Sequence, residues 1–563
     1  MSSIEFDYVI VGAGSAGSVL ANRLSADPSL RVLLLEAGGS DARFLIKMPL
    51  GFLRALLDPT LSWGYMSEPE PTLGGRSLWL PRGKVLGGSS SINGMFFMRG
   101  HSGDFDAWAA HGCTGWSYAD VLPYFKRMEK SWRGAGPWHG AEGPLEVMPI
   151  DTRRLLHRPL METAAAAGFS TTEDIHGECE EGFARGEITV DARGRRASTA
   201  RAYLRPVMSR PNLTIVTGAL VTKILIDGGS GGSDTGDSRA GSARAVGVAY
   251  RQGGTTVDAR AAREVILSGG AFNSPQLLML SGVGPADELR AHGIAVRVDL
   301  PGVGMNLSEH ARVPIEFATR GNISFLNELR IDRVVRSVLQ WAILGNGAFA
   351  TQINSCNIVV RTDPTLAQPD IQLMSNPVRM DAKIWWPLLG SGQDHRITAD
   401  AVVLHPESRG KVTLRSPSPV DKPRIWLNVL ATDRDLATAR RGVQVARRIY
   451  STAPQSALID HEIAPGKAVL SDGDLNAYIR ARAGVTQHPV GTCSMGTGSD
   501  AVLDPHLRVR GIAGLRVVDA SVMPTVPGGN TNAAVIMIAE KAADLILGRA
   551  LAPEPARGAI ART

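Results

Sequence analysis

Residues 488–496 read HPVGTCSMG. An imidazole held among glycine and proline is a candidate proton carrier, because an unperturbed histidine pKa near 6.5 leaves neutral base at pH 7. Taken alone, His488 reads more readily as a structural histidine, since most of the chain's 12 must be structural or solvated. A second polar group follows in LRVVDASVMPTVPGGNTNAAVIMIAEKAADLI, residues 515–546. Leu515–Val518 reads as a strand that ends on Asp519. Pro524–Asn532 reads as a turn-rich segment, and Ala533–Ile546 as a helix. That unit brings a helix N-terminus and two amides, Asn530 and Asn532, to one point, which suits developing negative charge. No HExxH and no clustered His/Asp spacing signals a metal.

The element that must position these residues begins at the N-terminus, with FDYVIVGAGSAGSVLANRLSADPSLRVLLLEAGG. Phe6–Val11 is a short apolar run suited to a buried parallel strand. Gly12, Gly14 and Gly17 complete GxGxxG, with Ala13 and Ser15 between them. Val19, Leu20 and Leu24 then recur at helical spacing, and Asp27-Pro28 ends that helix. Arg31–Leu35 is a second strand that closes on Glu36 and Ala37. Gly12 permits the tight turn, Gly14 lets a pyrophosphate approach the backbone, and Gly17 lets helix and strand pack. Glu36 is placed to accept a hydrogen bond from a ribose hydroxyl. The alternation of strands and helices breaks after Gly39, which favours FAD over NAD.

Residues 83–106 read GKVLGGSSSINGMFFMRGHSGDFD. Gly87–Ser91 are small residues whose N–H and hydroxyl groups suit a phosphate or a flavin edge. By themselves they also suit a surface loop. GAFNSPQLLMLSGVG at 270–284 reads as a helix with Ser274 as N-cap, Pro275 in the first position and Gly282 at the end. With the N-terminal fingerprint, these stretches resemble the glucose–methanol–choline (GMC) family of flavin oxidoreductases. Gly87, Gly88, Ser89, Ser90, Asn93 and Asp106 fit its first signature and residues 270–284 its second, and the resemblance runs from residue 5 to about 548.

The resemblance implies a catalytic pair, His488 and Asn530, with Asn532 the runner-up for the second place. Pro489 and Gly491 then fix the backbone around His488, while Cys493 and Met495 are packing. It implies FAD held by Gly12, Ala13, Gly14, Ser15, Gly17, Glu36, Ala37, Arg82, Gly87, Gly88, Ser89, Asn93, Gly94, Val221, Asp519, Ala520, Asn530, Thr531 and Asn532. Some relatives bond flavin to a histidine just before the signature asparagine. Here that position is Ile92, so dissociable FAD is expected. His310 and His405 resemble structural landmarks and receive no catalytic role. The implied reaction is oxidation of a non-sugar primary alcohol to the aldehyde, with electrons passed to a quinone or another carrier. An oxidase using O₂, a choline dehydrogenase, and non-redox members such as hydroxynitrile lyases or photodecarboxylases are the alternatives. Trp63, Tyr65, Trp385 and Trp386 are candidates for a substrate pocket or cation cage, or are plain packing. Glu316 is the acid a choline site would need.

The expected fold class is α/β (α+β overall). It comprises a Rossmann-like FAD-binding domain at 1–155, 200–315 and 485–548, and a discontinuous substrate domain at 156–199 and 316–484. The substrate domain is built on an antiparallel sheet flanked by helices, to which residues 411–430 contribute a strand–turn–strand unit. Gly228–Ser242 is expected to be a mobile loop and 549–563 a flexible tail. The net charge of +6 is spread along the chain without a long basic run, which argues against nucleic-acid partners. Arg440, Arg441, Arg447 and Arg448 read as a solvated helix face. Four cysteines without a CxxC pair fit reduced thiols. With no apolar run of about 20 residues and no signal peptide, the expected location is cytoplasmic, with peripheral contact at the inner membrane face left open.

Overall fold

The computed structural model describes residues 5–228 and 243–554. Except for Gly228, the expected mobile loop lies outside the described residues, as does the tail beyond Glu554.

The first sheet is built from β1 (Glu5–Val11), β2 (Val32–Glu36), β3 (Leu213–Thr217), β4 (Leu220–Asp227), β5 (Arg244–Gln252), β6 (Thr255–Leu267) and β7 (Leu515–Val517). Its order is β4-β5-β6-β1-β2-β3, with β7 beside β6. β6, β1, β2 and β3 pair in parallel, as do β6 and β7, while β4, β5 and the first half of β6 form an antiparallel meander. Sequence explains the division. VLLLE of β2 is buried at every position, as a doubly covered parallel strand must be. TTVDARAAREVIL of β6 is exposed in its polar first half and buried in its last three residues.

Helix α1 (Ser15–Leu24) joins β1 to β2, and α2 (Gly270–Leu280) follows β6. Helix α3 (Asn532–Ile546) follows β7 and packs beside α1. Arg23 clamps Glu540 of α3 with donors at 2.9 and 2.7 Å, and the Tyr203 hydroxyl donates to the same buried carboxylate at 2.8 Å.

The second sheet is antiparallel throughout. It takes strands Ile459–Ala464, Ala311–Thr319, Arg396–Val403, Ile371–Asn376, Asn357–Val360 and Gly182–Ala184 in that order, with Gly484–Val485 on the edge of Ala311–Thr319. Helix Asp433–Ser451 lies on it through Leu436, Val443, Ala446 and Ile449. Gly442 permits the approach, since a Cβ there would stand 2.9 Å from Ile371 Cδ1.

Several expectations are corrected. The boundary drawn at 315/316 falls inside Ala311–Thr319, a strand that pairs wholly within the second sheet. The 411–430 unit forms a separate two-stranded ribbon, Lys411–Thr413 with Arg424–Trp426. Helix α2 starts at Gly270, so Ser274 is not its N-cap and Pro275 lies inside it. The carbonyl of Ala271, which would have faced the missing Pro275 N–H, instead accepts from Thr492 Oγ1 at 2.6 Å. The arginines of 440–448 are engaged rather than merely solvated: Arg440 donates to Asn476, Arg441 to Thr362, Arg447 pairs Glu462, and Arg448 lies over Phe169. The start of the expected tail is held too. Leu551 N–H donates to the Tyr124 hydroxyl at 3.2 Å, and Lys126 pairs with Glu554 at 2.7 Å.

Candidate active site

The glycine-rich turn and the first signature stretch meet at the end of β1. A Cβ on Gly12 would strike the Ser268 carbonyl at 2.5 Å, and one on Gly17 the Gly12 carbonyl at 1.9 Å. Gly14 is different: a Cβ there would meet only the Ser268 carbonyl, at 3.9 Å, an ordinary contact, so the turn is not sealed by a clash at this position. Gly87 N–H donates to the Ala13 carbonyl at 2.8 Å, and a Cβ on Gly88 would stand 2.7 Å from Gly14 Cα. Residues more than 70 positions apart thus share one loop cluster. Glu36 accepts from Ala13 N–H at 2.9 Å and from Gly38 N–H at 2.7 Å, and burial raises its pKa to about 7. Ala37 joins these two anchored residues. Ala219 N–H donates to the Glu36 carbonyl, which brings Val221 of β4 toward the same end of β2.

The remaining predicted residues divide between cradle and support. Ser89 Oγ accepts from Gly83 N–H at 3.1 Å, and the Gly94 carbonyl accepts from Gln352. Asn93 Oδ1 accepts from Met95 N–H and from Arg196. Asp106, the acid closing that signature, accepts from Tyr118 N–H at 2.9 Å. Asp519 is fully engaged by protein donors, Gly270 N–H, Ser274 Oγ, Ser521 N–H and Ser521 Oγ, so its side chain ties α2 to the segment after β7. Ala520 opens the turn behind it. Thr531 precedes α3, and Asn532 Oδ1 accepts from Ser15 Oγ at 2.7 Å. The N-termini of α1 and α3 are therefore joined at one point.

His488 and Asn530 face each other from different segments. Asn530 Nδ2 lies 3.1 Å from His488 Nε2. His488 Nδ1 lies 3.0 Å from His310 Nδ1 and 2.9 Å from Thr486 Oγ1. His310 Nε2 lies 3.0 Å from the Leu404 carbonyl. This chain assigns the tautomers. A carbonyl only accepts, so His310 carries its proton on Nε2 and offers Nδ1 as a lone pair. His488 Nδ1–H then donates, and His488 Nε2 is left as a lone pair facing the Asn530 amide. Burial drives both imidazoles toward the neutral form. It holds His488 well below its ordinary value, helped by His310 and Arg82, and takes His310 to about 3. A lone pair beside an amide donor can take a hydroxyl proton while the amide holds the oxygen.

Three participants were not recognised in the sequence as part of this site. His310 is one. Glu309 is another: its Oε1 accepts from His488 N–H at 2.7 Å and His310 N–H at 3.0 Å, and burial raises it to about 7. Arg196 is the third. It is buried with its pKa lowered to about 9, and it binds the carbonyls of Ile46, Ser90 and Asn93 around the first signature loop. Its neighbours in sequence gave no signal of this. His405 is also held near the site: its Nε2 lies 2.7 Å from Asp104 Oδ1, and Asp104 Oδ2 accepts from Gly528 N–H in the loop before Asn530.

The aromatic candidates do not converge. Trp63 stacks on buried Tyr65, whose hydroxyl donates to Asn273, whereas the Trp385 indole N–H donates to the Leu326 carbonyl and Trp386 is exposed. Glu316 is paired with Arg396 at 3.0 Å and Arg482 at 3.7 Å.

A family model described as GMC oxidoreductase matches residues 6–312, and its C-terminal counterpart matches 406–539. The chain belongs to the GMC oxidoreductases. This GMC protein is 43% identical over 550 residues to an oxygen-dependent choline dehydrogenase of Brucella ovis, covering 97% of this chain and 96% of that one. Among solved structures it resembles pyridoxine 4-oxidase from Mesorbium loti, with 30% identity, TM-score 0.82, and 96% and 98% of the two chains covered. It also resembles a point variant of Aspergillus oryzae formate oxidase, with 27% identity, TM-score 0.88, and 97% and 99% covered. It is an FAD-dependent oxidoreductase acting on CH–OH groups, and no described helix is long and apolar enough to cross a membrane.

The residues present fit that cofactor. The glycine turn that opens α1, without side chains at Gly12, Gly14 and Gly17 and packed against Gly88, fits a pyrophosphate at the helix N-terminus. Ser268 Oγ, Arg82 Nε and Nη2, and Asn530 Oδ1 are buried with no hydrogen-bond partner among the described residues. Such groups are costly unless a bound partner satisfies them.

Proposed function

We propose that this GMC oxidoreductase converts a small, neutral, non-sugar primary alcohol to the aldehyde, with His488 as base. The observation that carries this reading is the lone pair on His488 Nε2, 3.1 Å from the Asn530 amide. His488 takes the hydroxyl proton, and Asn530 holds the alcohol oxygen without adding charge. His310 positions the imidazole by accepting its Nδ1 proton. Bound FAD supplies the hydride acceptor. The α1 N-terminus with Gly14 and Ser15 would hold its pyrophosphate, Glu36 a ribose hydroxyl, and the 87–94 loop with Thr531 and Asn532 the flavin end. Binding is non-covalent, because Ile92 is a buried apolar residue where attachment would need a histidine. A quinone or another carrier takes the electrons, with O₂ the alternative acceptor.

A neutral substrate suits the local charge. Arg82 is buried beside Phe272, and its ion pair to Glu309 is long at 3.9 Å. Burial lowers its pKa to about 10. A quaternary ammonium would need an available anion; Glu316 is already paired, and Glu309, beside His488, already faces the Arg82 guanidinium. Choline remains the second reading because of the name carried by the 43%-identical relative.

The test is the visible spectrum of the purified protein under anaerobic conditions, before and after a panel of primary alcohols. Bleaching of the band near ~450 nm by a neutral alcohol, with flavin released on acid precipitation, is the expected result. Bleaching by choline alone would move the substrate to the second reading. A flavin band that no alcohol bleaches would overturn both. Readmitting air and measuring peroxide separates the acceptors.

A further inference from the structure

Helix Ile331–Leu344 has the sequence IDRVVRSVLQWAIL. Val334, Ser337 and Trp341 form its buried face. A surface helix should carry polar residues opposite such a face. Here Val335, Leu339 and Ile343 recur at i, i+4 and i+8 on the outer side, and Ile343 is 77% exposed. Two neighbours add exposed apolar side chains beside the helix. Phe44, itself half exposed, packs edge-on against Trp341 with ring centroids 5.4 Å apart. At the other end Trp385 is fastened to the start of the helix, its N–H donating to the Leu329 carbonyl and its carbonyl accepting from Ile331 N–H. The loop it anchors, KIWWPLLG, presents Trp386 at 59% exposure, Leu388 at 98% and Leu389 at 83%. Contiguous apolar surface of this kind marks an interaction site.

The charges around it are sorted by sign. The acids Asp332 and Asp381 are each neutralised by a bidentate arginine, Arg330 and Arg379. Arg43 acts on Asp58, but the cations Lys47, Arg336 and Lys383 form no ion pair with a described residue. An apolar face with an exposed tryptophan, free basic side chains and compensated acids is complementary to an anionic bilayer surface. We propose that this face docks the enzyme on an anionic lipid membrane, with Trp386, Leu388, Leu389 and Ile343 entering the headgroup boundary. A second copy of this chain would bring the same three uncompensated cations against this face, whereas an anionic surface neutralises them. The inner side of the same helix joins a core with Met95 and Ile353, which flank the first signature loop. The docking itself goes beyond the alcohol-oxidising reading and does not rest on it.

The experiment is flotation of the FAD-loaded full chain with vesicles of phosphatidylcholine alone and of phosphatidylcholine with phosphatidylglycerol. Wild type should float with the anionic vesicles, less so as salt is raised. Leu388→Ser/Leu389→Ser and Ile343→Ser should weaken binding more than about tenfold. Both variants should retain FAD and wild-type turnover with a water-soluble acceptor, which shows that they fold. No flotation of wild type with the anionic vesicles overturns the proposal, as does equal flotation of wild type and variants. A concentration-dependent dimer that these variants convert to monomer would overturn it in favour of a second copy of this chain.

Discussion

His310 and His139 are both buried, yet one is neutral and the other cationic. His310 touches a carbonyl and another imidazole, and no described carboxylate bonds to its ring, so burial leaves it neutral with a pKa of about 3. His139 suffers the same burial, but its Nε2 lies 2.9 Å from Asp174 Oδ2 and its Nδ1 3.1 Å from Glu129 Oε1. Those two acids outweigh the burial and raise it to about 9. Glu129 in turn binds Arg99 at 2.5 Å. A buried imidazole takes its charge from the acceptors around it and not from depth alone. The neutral cluster keeps a base available, and the ionic cluster holds a strand end and a loop together.

The strongest test of the contrast removes one histidine from the neutral cluster. His488→Ala should lower turnover by about 10²–10⁴ while FAD is retained. His139→Ala, wherever it folds, should leave turnover of the folded fraction close to wild type. A His488→Ala enzyme with full flavin and near-normal turnover would falsify the base assignment.

The next effect belongs to the ionic cluster. Glu129→Gln removes the carboxylate that faces both Arg99 and His139 and leaves buried charge without its partner. Breaking such pairs costs about 3–5 kcal/mol. Urea unfolding should show that loss. A change under about 1 kcal/mol would mean that the cluster behaves like a surface pair.

The two clusters were unequally legible in the sequence. Backbone-built features were the easiest to read, because a glycine needed for a turn or a close approach leaves a local pattern. Gly12, Gly14 and Gly17 fall where the turn, the approach of the Gly88 loop and the tight packing are. The strands β1 and β2 and helix α3 were legible from apolar runs and period. Side chains that act across long separations were not. His310 stands 178 positions from His488, and Arg196 stands 103 positions from Asn93. His139 and Asp174 carry no spacing signal either, since their pairing depends on how a strand end and a loop are folded together. Helix α2 was misplaced by five residues for a related reason. Pro275 reads locally as a helix start, but Thr492, 221 positions from Ala271, caps the carbonyl that the proline leaves free.

Stability against pH sharpens the contrast, because the two histidines act with opposite sign. His139 has a folded pKa raised above its unfolded value. Its contribution is full below about 6.5 and is lost as pH rises from 6.5 to about 9. The shift corresponds to roughly 3 kcal/mol. His310 has a depressed folded pKa, so the unfolded chain binds the extra proton below 6.5 and stability falls as pH drops through that region. Urea unfolding of His139→Gln should therefore lack part of the alkaline decline seen in wild type, and His310→Phe part of the acid decline. Superimposable alkaline limbs for wild type and His139→Gln would show that His139 is not charged in the folded protein.

The smallest effect comes from a neutral bond beside the catalytic cluster. Thr492 lies four residues after His488 and is wholly buried, with its hydroxyl donating to the Ala271 carbonyl at 2.6 Å. Thr492→Val keeps the shape but leaves that carbonyl without a donor, because Pro275 cannot supply one. The expected cost is about 1–2 kcal/mol, with the loss unchanged between pH 6 and pH 9, since neither partner titrates there. Turnover should fall less than about threefold, because Thr492 supports the segment without touching the imidazole. A pH-dependent loss would show that the bond is coupled to the charge of the histidines. In that case the neutral cluster would share the ionic character that the geometry reserves for His139.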